Sequence, residues 1–197
     1  MIRIPDTKTT DRAKYWSKTT LPWMSIGYET QIAPINTVAF YNAIANNGKM
    51  MQPRFVKQIV KNGEVIKEFE PVVLKERIAK PQAIKTMQTI LEHVVSQGLG
   101  RRAGSKSFKV AGKTGTAQIA DQYGGYHSGI TRYWLSFAGY FPADDPRYTC
   151  IVCLKKSGLP ASGGGMSGLV FHHISEGVMA QNLKLDVNDA RDTLSIM

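Results

Sequence analysis

The chain is poor in cysteine, with two in 197 residues, Cys150 and Cys153. That excludes a small disulfide-stapled fold. The spacing Cys150-Ile151-Val152-Cys153 could suggest a redox pair or half a zinc site. No second pair is present to complete four ligands, and the surrounding residues read as a strand. Positions three apart on a strand point to opposite faces, so the two are read as ordinary buried thiols. Long apolar runs are also missing. No stretch of about 18 apolar residues exists, which excludes a transmembrane helix within the chain. The opening Met1-Ile2-Arg3-Ile4-Pro5-Asp6 lacks the apolar core of a signal peptide. Any export signal or anchor is therefore expected in sequence outside this chain.

Acidic residues are in deficit. There are 15 against 25 basic ones, a net charge of +10. A basic balance suits nucleic acid, an anionic surface or an anionic substrate. The charges come in ones and twos (Lys8, Arg12, Lys14, Lys18; Arg101, Arg102, Lys106, Lys109), without a basic helix or an aromatic RNA-binding signature. The reading is a solvated surface with no nucleic-acid partner. Hydrophobic residues make up 43%, enough for a packed core, and the length suits one domain or a large piece of one.

Local patterns predict the elements. Residues 1–22 are polar and basic, carry Pro5 and Pro22, and read as an extended lead-in. Ile35, Val38, Ala39, Ala43 and Ile44 recur at helical steps after Pro34, and Asn46-Asn47-Gly48 supplies a stop. Arg54–Val60 and Val65–Phe69 flank Asn62-Gly63, a hairpin signature. Pro81–Ser96 is a second helix, with Ile84, Met87, Ile90, Leu91, Val94 and Val95 on one face. Strands are expected over Lys109–Ile119, Tyr133–Phe141 and Tyr148–Leu154, the last two joined by a tight Pro142-Ala143-Asp144-Asp145-Pro146 link. A last helix should span Gly168–Gln181, with a polar tail over 186–197 that frays. The fold class is α+β: a mainly antiparallel sheet with packed helices.

The chemistry concentrates at Lys113-Thr114-Gly115-Thr116. Glycine is a poor choice inside a strand, so Gly112 and Gly115 need a reason, such as close approach of a backbone or a ligand. A ligand lying along this strand would pair with its main chain. Thr114 and Thr116, two apart, share a face and can hydrogen-bond an anion, and Lys113 adds a compact positive charge. Other candidates are blander. Tyr123, Tyr126 and His127 lie on a long loop after this strand and could border a cleft. Ser162-Gly163-Gly164-Gly165 looks like an anion cradle but lacks the Gly-Lys-Ser/Thr ending of a P-loop, and is read as part of a mobile loop over 155–165. His172 and His173 are adjacent on a helix and diverge, so no metal site is assigned. Asp144 and Asp145 suit a turn. No cofactor is implied.

Several segments in order resemble one family. Ser25-Ile26-Gly27-Tyr28-Glu29-Thr30-Gln31-Ile32-Ala33-Pro34, Ala45-Asn46-Asn47-Gly48-Lys49-Met50-Met51-Gln52-Pro53, Val94-Val95-Ser96-Gln97-Gly98-Leu99-Gly100, Val110–Gln118 and Trp134-Leu135-Ser136-Phe137-Ala138-Gly139-Tyr140-Phe141-Pro142 resemble the penicillin-binding-protein transpeptidases. The likeness is strongest to the monofunctional, class B enzymes of cell division or elongation. The family's motif set is Ser-x-x-Lys, Ser-x-Asn and Lys-Thr-Gly. Only the third is present, so residues 1–197 are expected to be the C-terminal portion of one transpeptidase domain.

The resemblance implies a serine-type D,D-transpeptidase that cross-links peptidoglycan stem peptides ending in D-Ala-D-Ala and is acylated by β-lactams. It implies Lys113 and Thr116 as catalytic residues. Lys113 would support a proton relay, and the Thr116 N–H would be one oxyanion donor. Thr114, Gly115 and Thr116 would bind substrate. The family's sheet is five-stranded with helices on both faces, and strands from the earlier part of the domain would be missing here. The resemblance further implies division or elongation proteins as partners, and a membrane-anchored parent with this domain on the periplasmic, extracytoplasmic side. Without the nucleophile this polypeptide would be inactive alone, and its uncovered sheet edge would make it marginally stable or self-associating. A non-catalytic sensor or division scaffold is the alternative from another class. A serine β-lactamase is the nearest enzymatic one.

Overall fold

The structure, a computed structural model, describes residues 2–3, 18–28, 30–120 and 130–194, with 2–3 and 183–194 described by backbone alone. They fall into two compact units, 1–37 and 38–197, divided inside helix α2 (Pro34–Ala45). In the first unit, β1 (Ile2–Arg3) pairs antiparallel with β2 (Gln31–Ile32). The helix α1 (Thr20–Ser25) ends at Gly27, whose φ of +93° suits glycine. Thr20 is buried, and Trp23 meets Tyr28 edge-on at 5.3 Å. Residues 20–22 are thus helical, not extended as their polar run suggested. Pro22 sits within the first turn, which tolerates its missing N–H. Most of the expected lead-in lies outside the described residues.

In the second unit, α2 buries Ala39, Ala43, Ile44 and Ala45. It stops where expected. Asn47 and Gly48 take φ of +52° and +94°, and the Gly48 N–H donates to the Ala43 carbonyl at 2.7 Å. Two small ladders follow. β3 (Met50–Met51) pairs with β6 (Val73–Lys75), and β4 (Gln58–Lys61) with β5 (Glu64–Glu68). The second is the expected hairpin. Asn62 and Gly63 both have positive φ, +53° and +85°, as a type I′ turn requires.

Helix α3 (Pro81–Ser96) starts on Pro81 and buries Ile84, Leu91 and Val95. Met87 and Ile90, placed on the packed face by periodicity, are exposed. Gln88 takes that line instead, donating to the Ile44 carbonyl at 2.8 Å and so satisfying a carbonyl at the end of α2.

The main sheet is β7 (Ala111–Ile119), β8 (Arg132–Phe141) and β9 (Tyr148–Ser157), antiparallel throughout, with β8 central. Its strands are the three expected over Lys109–Ile119, Tyr133–Phe141 and Tyr148–Leu154, the last running on to Ser157. Alternate residues of β8 feed two cores. Phe137 and Phe141 pack with Val95, Ala103, Val110, Val152 and Phe171. Tyr140 packs with Ile44, Ala45, Leu91 and Ala111. Phe171 lies 4.7 Å and 5.6 Å, centroid to centroid, from Phe137 and Phe141, aromatic pairs that add to simple burial. Phe171 belongs to α4 (Gly168–Leu194), which is entered through a wide π-helical turn at Gly163–Ser167. The helix continues past Gln181, and its backbone is helical through Leu194 where a frayed tail was expected. No glycine or proline follows Gly177 to break it.

Candidate functional site

Nine consecutive β7 residues pair with β8, from Ala111↔Tyr140 to Ile119↔Arg132. Among the described residues β7 has no strand on its other side, so Lys113-Thr114-Gly115-Thr116 lies on an open sheet edge. The Lys113 ammonium curls around that edge. It donates to the Thr114 carbonyl at 2.9 Å and approaches the Thr114 hydroxyl at 3.4 Å. That carbonyl faces away from β8, and outward main-chain groups recur at every second residue of an antiparallel pair. The Thr116 N–H therefore opens to the same edge. A lysine charge, two threonine hydroxyls and an outward N–H converge within four residues, a set suited to an extended anionic ligand.

Of the two causes the sequence offered for the glycines of this strand, close approach by a backbone or by a ligand, the structure shows the first. A Cβ at Gly112 would lie 2.6 Å from the Phe137 ring and 2.7 Å from the Ala138 carbonyl oxygen. A Cβ at Gly115 would overlap the Ser136 hydroxyl. The close approach is made by the protein's own β8. A second backbone arrives from Ser162-Gly163-Gly164-Gly165. Gly163 and Gly164 are buried, and a Cβ on Gly163 would overlap the Gly115 carbonyl oxygen. A Cβ on Gly164 would overlap the Leu99 carbonyl oxygen and come within 3.1 Å of Thr114 Cγ2. The Gly163 N–H donates to Thr116 Oγ1 at 3.0 Å.

The glycine run, read as part of a mobile loop, is therefore a packed turn against the lysine strand. Ser162 Oγ accepts the Gly165 N–H at 2.9 Å and caps it. Sequence reasoning noticed this run but could not place it, because its neighbours are about fifty residues away along the chain. Ser136 lies opposite Gly115 through the register of the neighbouring strands, which local patterns do not fix.

Tyr123, Tyr126 and His127 lie outside the described residues. Cys150 and Cys153 are free thiols. Burial raises both pKa values, and the neighbouring Cys153 adds to the rise at Cys150, so both are weak nucleophiles at neutral pH. His172 and His173 hold their rings 5.4 Å apart on α4, with His172 Nδ1 4.0 Å from Glu176. Asp145 pairs with Arg147 at 3.1 Å in the β8–β9 link. Behind the sheet, Tyr140 carries a hydroxyl buried without a hydrogen-bond partner. Burial, and then the Glu92 charge, push its pKa up to about 12. Among the described residues no helix is long and apolar enough to cross a membrane.

The chain is similar to known proteins. The chain is 31% identical over 178 residues to penicillin-binding protein PbpB of Mycolicibacterium smegmatis, covering 85% of this chain and 27% of that protein. It is 28% identical over 169 residues to the peptidoglycan D,D-transpeptidase FtsI of Escherichia coli, covering 83% of this chain and 26% of that protein. The chain thus spans about a quarter of the length of these curated relatives. The crystal structure of a peptidoglycan synthetase from Bifidobacterium adolescentis superposes with a TM-score of 0.69 at 22% identity, over 86% of this chain and 30% of that one, and shows the shared fold. The relatives bear out the likeness to the class B transpeptidases. The family described as penicillin binding protein transpeptidase domain matches residues 2–176, and the chain belongs to it.

Proposed function

We propose that this chain forms the lysine-strand wall of a D,D-transpeptidase site that cross-links peptidoglycan stem peptides in bacterial cell-wall synthesis. The observation that carries the reading is the open β7 edge. There Lys113 Nζ meets the Thr114 carbonyl and hydroxyl, and the Thr116 hydroxyl is held by Gly163. A stem peptide ending in D-Ala-D-Ala would add along this edge as an extended strand. Its terminal carboxylate would sit against the Thr114 and Thr116 hydroxyls in the field of Lys113. The Thr116 N–H would face the developing oxyanion, where one such donor is worth about 100–1000-fold in rate. Lys113 would also sustain the proton relay, and Gly115 would line the ligand between the two threonines.

The acylating serine and its lysine are absent from the 197 residues, which contain no Ser-x-x-Lys and no Ser-x-Asn. The chain is accordingly proposed as part of one transpeptidase domain. The serine wall would come from further sequence, in a membrane-anchored protein whose transpeptidase faces the extracytoplasmic side alongside division or elongation proteins. β-Lactams would occupy the same edge in the intact protein.

Fluorescent penicillin tests the division of labour. The 197-residue polypeptide should carry no label after denaturing electrophoresis, because it has no acylating serine. Label that survives denaturation on this polypeptide would refute the assignment of the reacting wall elsewhere.

A further inference from the structure

We infer that the Ser162–Gly165 turn is the positioning device for Thr116, setting which way its hydroxyl hydrogen points; this rests on the reading of β7 as the carboxylate-binding edge. Gly163 is the first residue of the helical segment that runs on into α4. The N–H groups of a first turn have no partner within the helix. The Gly163 N–H finds Thr116 Oγ1 at 3.0 Å. A threonine hydroxyl has two lone pairs and one hydrogen. With Gly163 donating into one lone pair, the hydrogen is directed away from the turn. The positive end of the helix dipole sits beside the oxygen, and accepting one hydrogen bond strengthens the hydroxyl as a donor in another. The arrangement prepares Thr116 to donate to an anionic oxygen arriving at the open edge.

The turn is built to hold that place. Ser162 Oγ accepts from Gly165 N, the Ser162 carbonyl accepts from Met166 N at 2.9 Å, and the Gly163 carbonyl accepts from Gly168 N. Gly163 and Gly164 have no room for a Cβ against the Gly115 and Leu99 carbonyls. Their missing side chains let the turn's backbone reach the strand. Gly163 acts through Thr116 and touches no ligand itself.

The test uses the isotope-labelled 197-residue chain, titrated with N-acetyl-D-alanyl-D-alanine and followed through backbone amide resonances. In the free chain, Thr116→Val should speed Gly163 amide exchange at least about tenfold by removing its acceptor, and Thr116→Ser should restore most of the protection. In the titration, Thr116→Val and Gly163→Ala should each weaken binding by about tenfold. The double variant should lose little more than either alone, because both remove the same oriented donor. Where Gly163→Ala fails to fold, Ser162→Ala replaces it. That variant loosens the turn without inserting atoms, and its loss of about threefold should vanish in a Thr116→Val background.

Unchanged Gly163 exchange in Thr116→Val, or fully additive losses, would overturn the proposal. A β7 edge whose resonances ignore the dipeptide, with Gly163 protection still dependent on Thr116, would overturn it through its premise. That pattern singles out the site reading as the part that failed.

Discussion

Two antiparallel ladders in this protein both depend on glycine, for opposite reasons. At the β4–β5 hairpin, Gly63 is needed for its backbone: φ is +85°, and a Cβ would meet nothing within 4 Å. In β7, Gly112 and Gly115 are needed for space. They sit in ordinary extended strand, and a side chain at either would strike β8. The hairpin residues are all exposed, whereas β8 holds a buried run from Phe137 to Phe141. The hairpin is a local object, specified by a dipeptide and its flanks. The β7–β8 ladder is specified by what packs on it.

The largest expected effect separates the two ladders by packing. Phe137→Ala should cost about 3–5 kcal/mol in urea unfolding, since it removes a fully buried ring of the core. Ile66→Ala in the hairpin should stay within about 0.5 kcal/mol, as the residue is exposed. Equal losses would mean that the hairpin is covered in solution. The next comparison separates the glycines. Gly112→Ala should cost about 1–3 kcal/mol through overpacking on Phe137, and pairing it with Phe137→Leu should recover part of that. Gly63→Ala should cost about 1 kcal/mol through positive φ, and no neighbouring substitution should rescue it. Rescue of Gly63→Ala by a partner, or none for Gly112→Ala, would break the distinction between conformation and space.

The smallest effect sharpens the picture of the β8 core. Tyr140→Phe removes a buried hydroxyl with no partner and should stabilise the protein by up to about 1 kcal/mol at pH 7. It should also change the alkaline limb. The folded Tyr140 keeps its proton to about pH 12, against an ordinary value of 10. The neutral phenol therefore contributes stability that is fully present below pH 10 and lost as pH rises from 10 to 12. The phenylalanine variant should lose stability less steeply over that window. Tyr41, also raised by burial, retains a share of the slope. An unchanged alkaline limb would show that Tyr140 is not confined in solution.

Most elements were legible because their signals are local. Pro34 and Asn46-Asn47-Gly48 bracket α2, Asn62-Gly63 makes a turn of fixed hand, and the Pro142–Pro146 link marks the turn between β8 and β9. Where the reading slipped, a long-range partner decided. Met87 and Ile90 have the right period for burial, yet the packed line of α3 carries Gln88, because a carbonyl at the end of α2 needed a donor there. The polar tail extends α4, since helical propensity without a breaker outlasts the apolar face.

The candidate site divides along the same line. Lys113, Thr114 and Thr116 stood out because a lysine and two hydroxyls among glycines are odd in a strand, and because that pattern belongs to a family. The strand, its polar set and that kinship are all written in the order of the residues. The folded chain shows that the glycines answer to Phe137 and Ser136. It alone showed that the Lys113 ammonium turns onto its own strand edge, and that a glycine turn some fifty residues away holds the Thr116 hydroxyl. The physical reason is range. Backbone conformation and alternation are written within a few residues, whereas the orientation of a hydroxyl depends on whichever donor the folded chain brings to 3 Å.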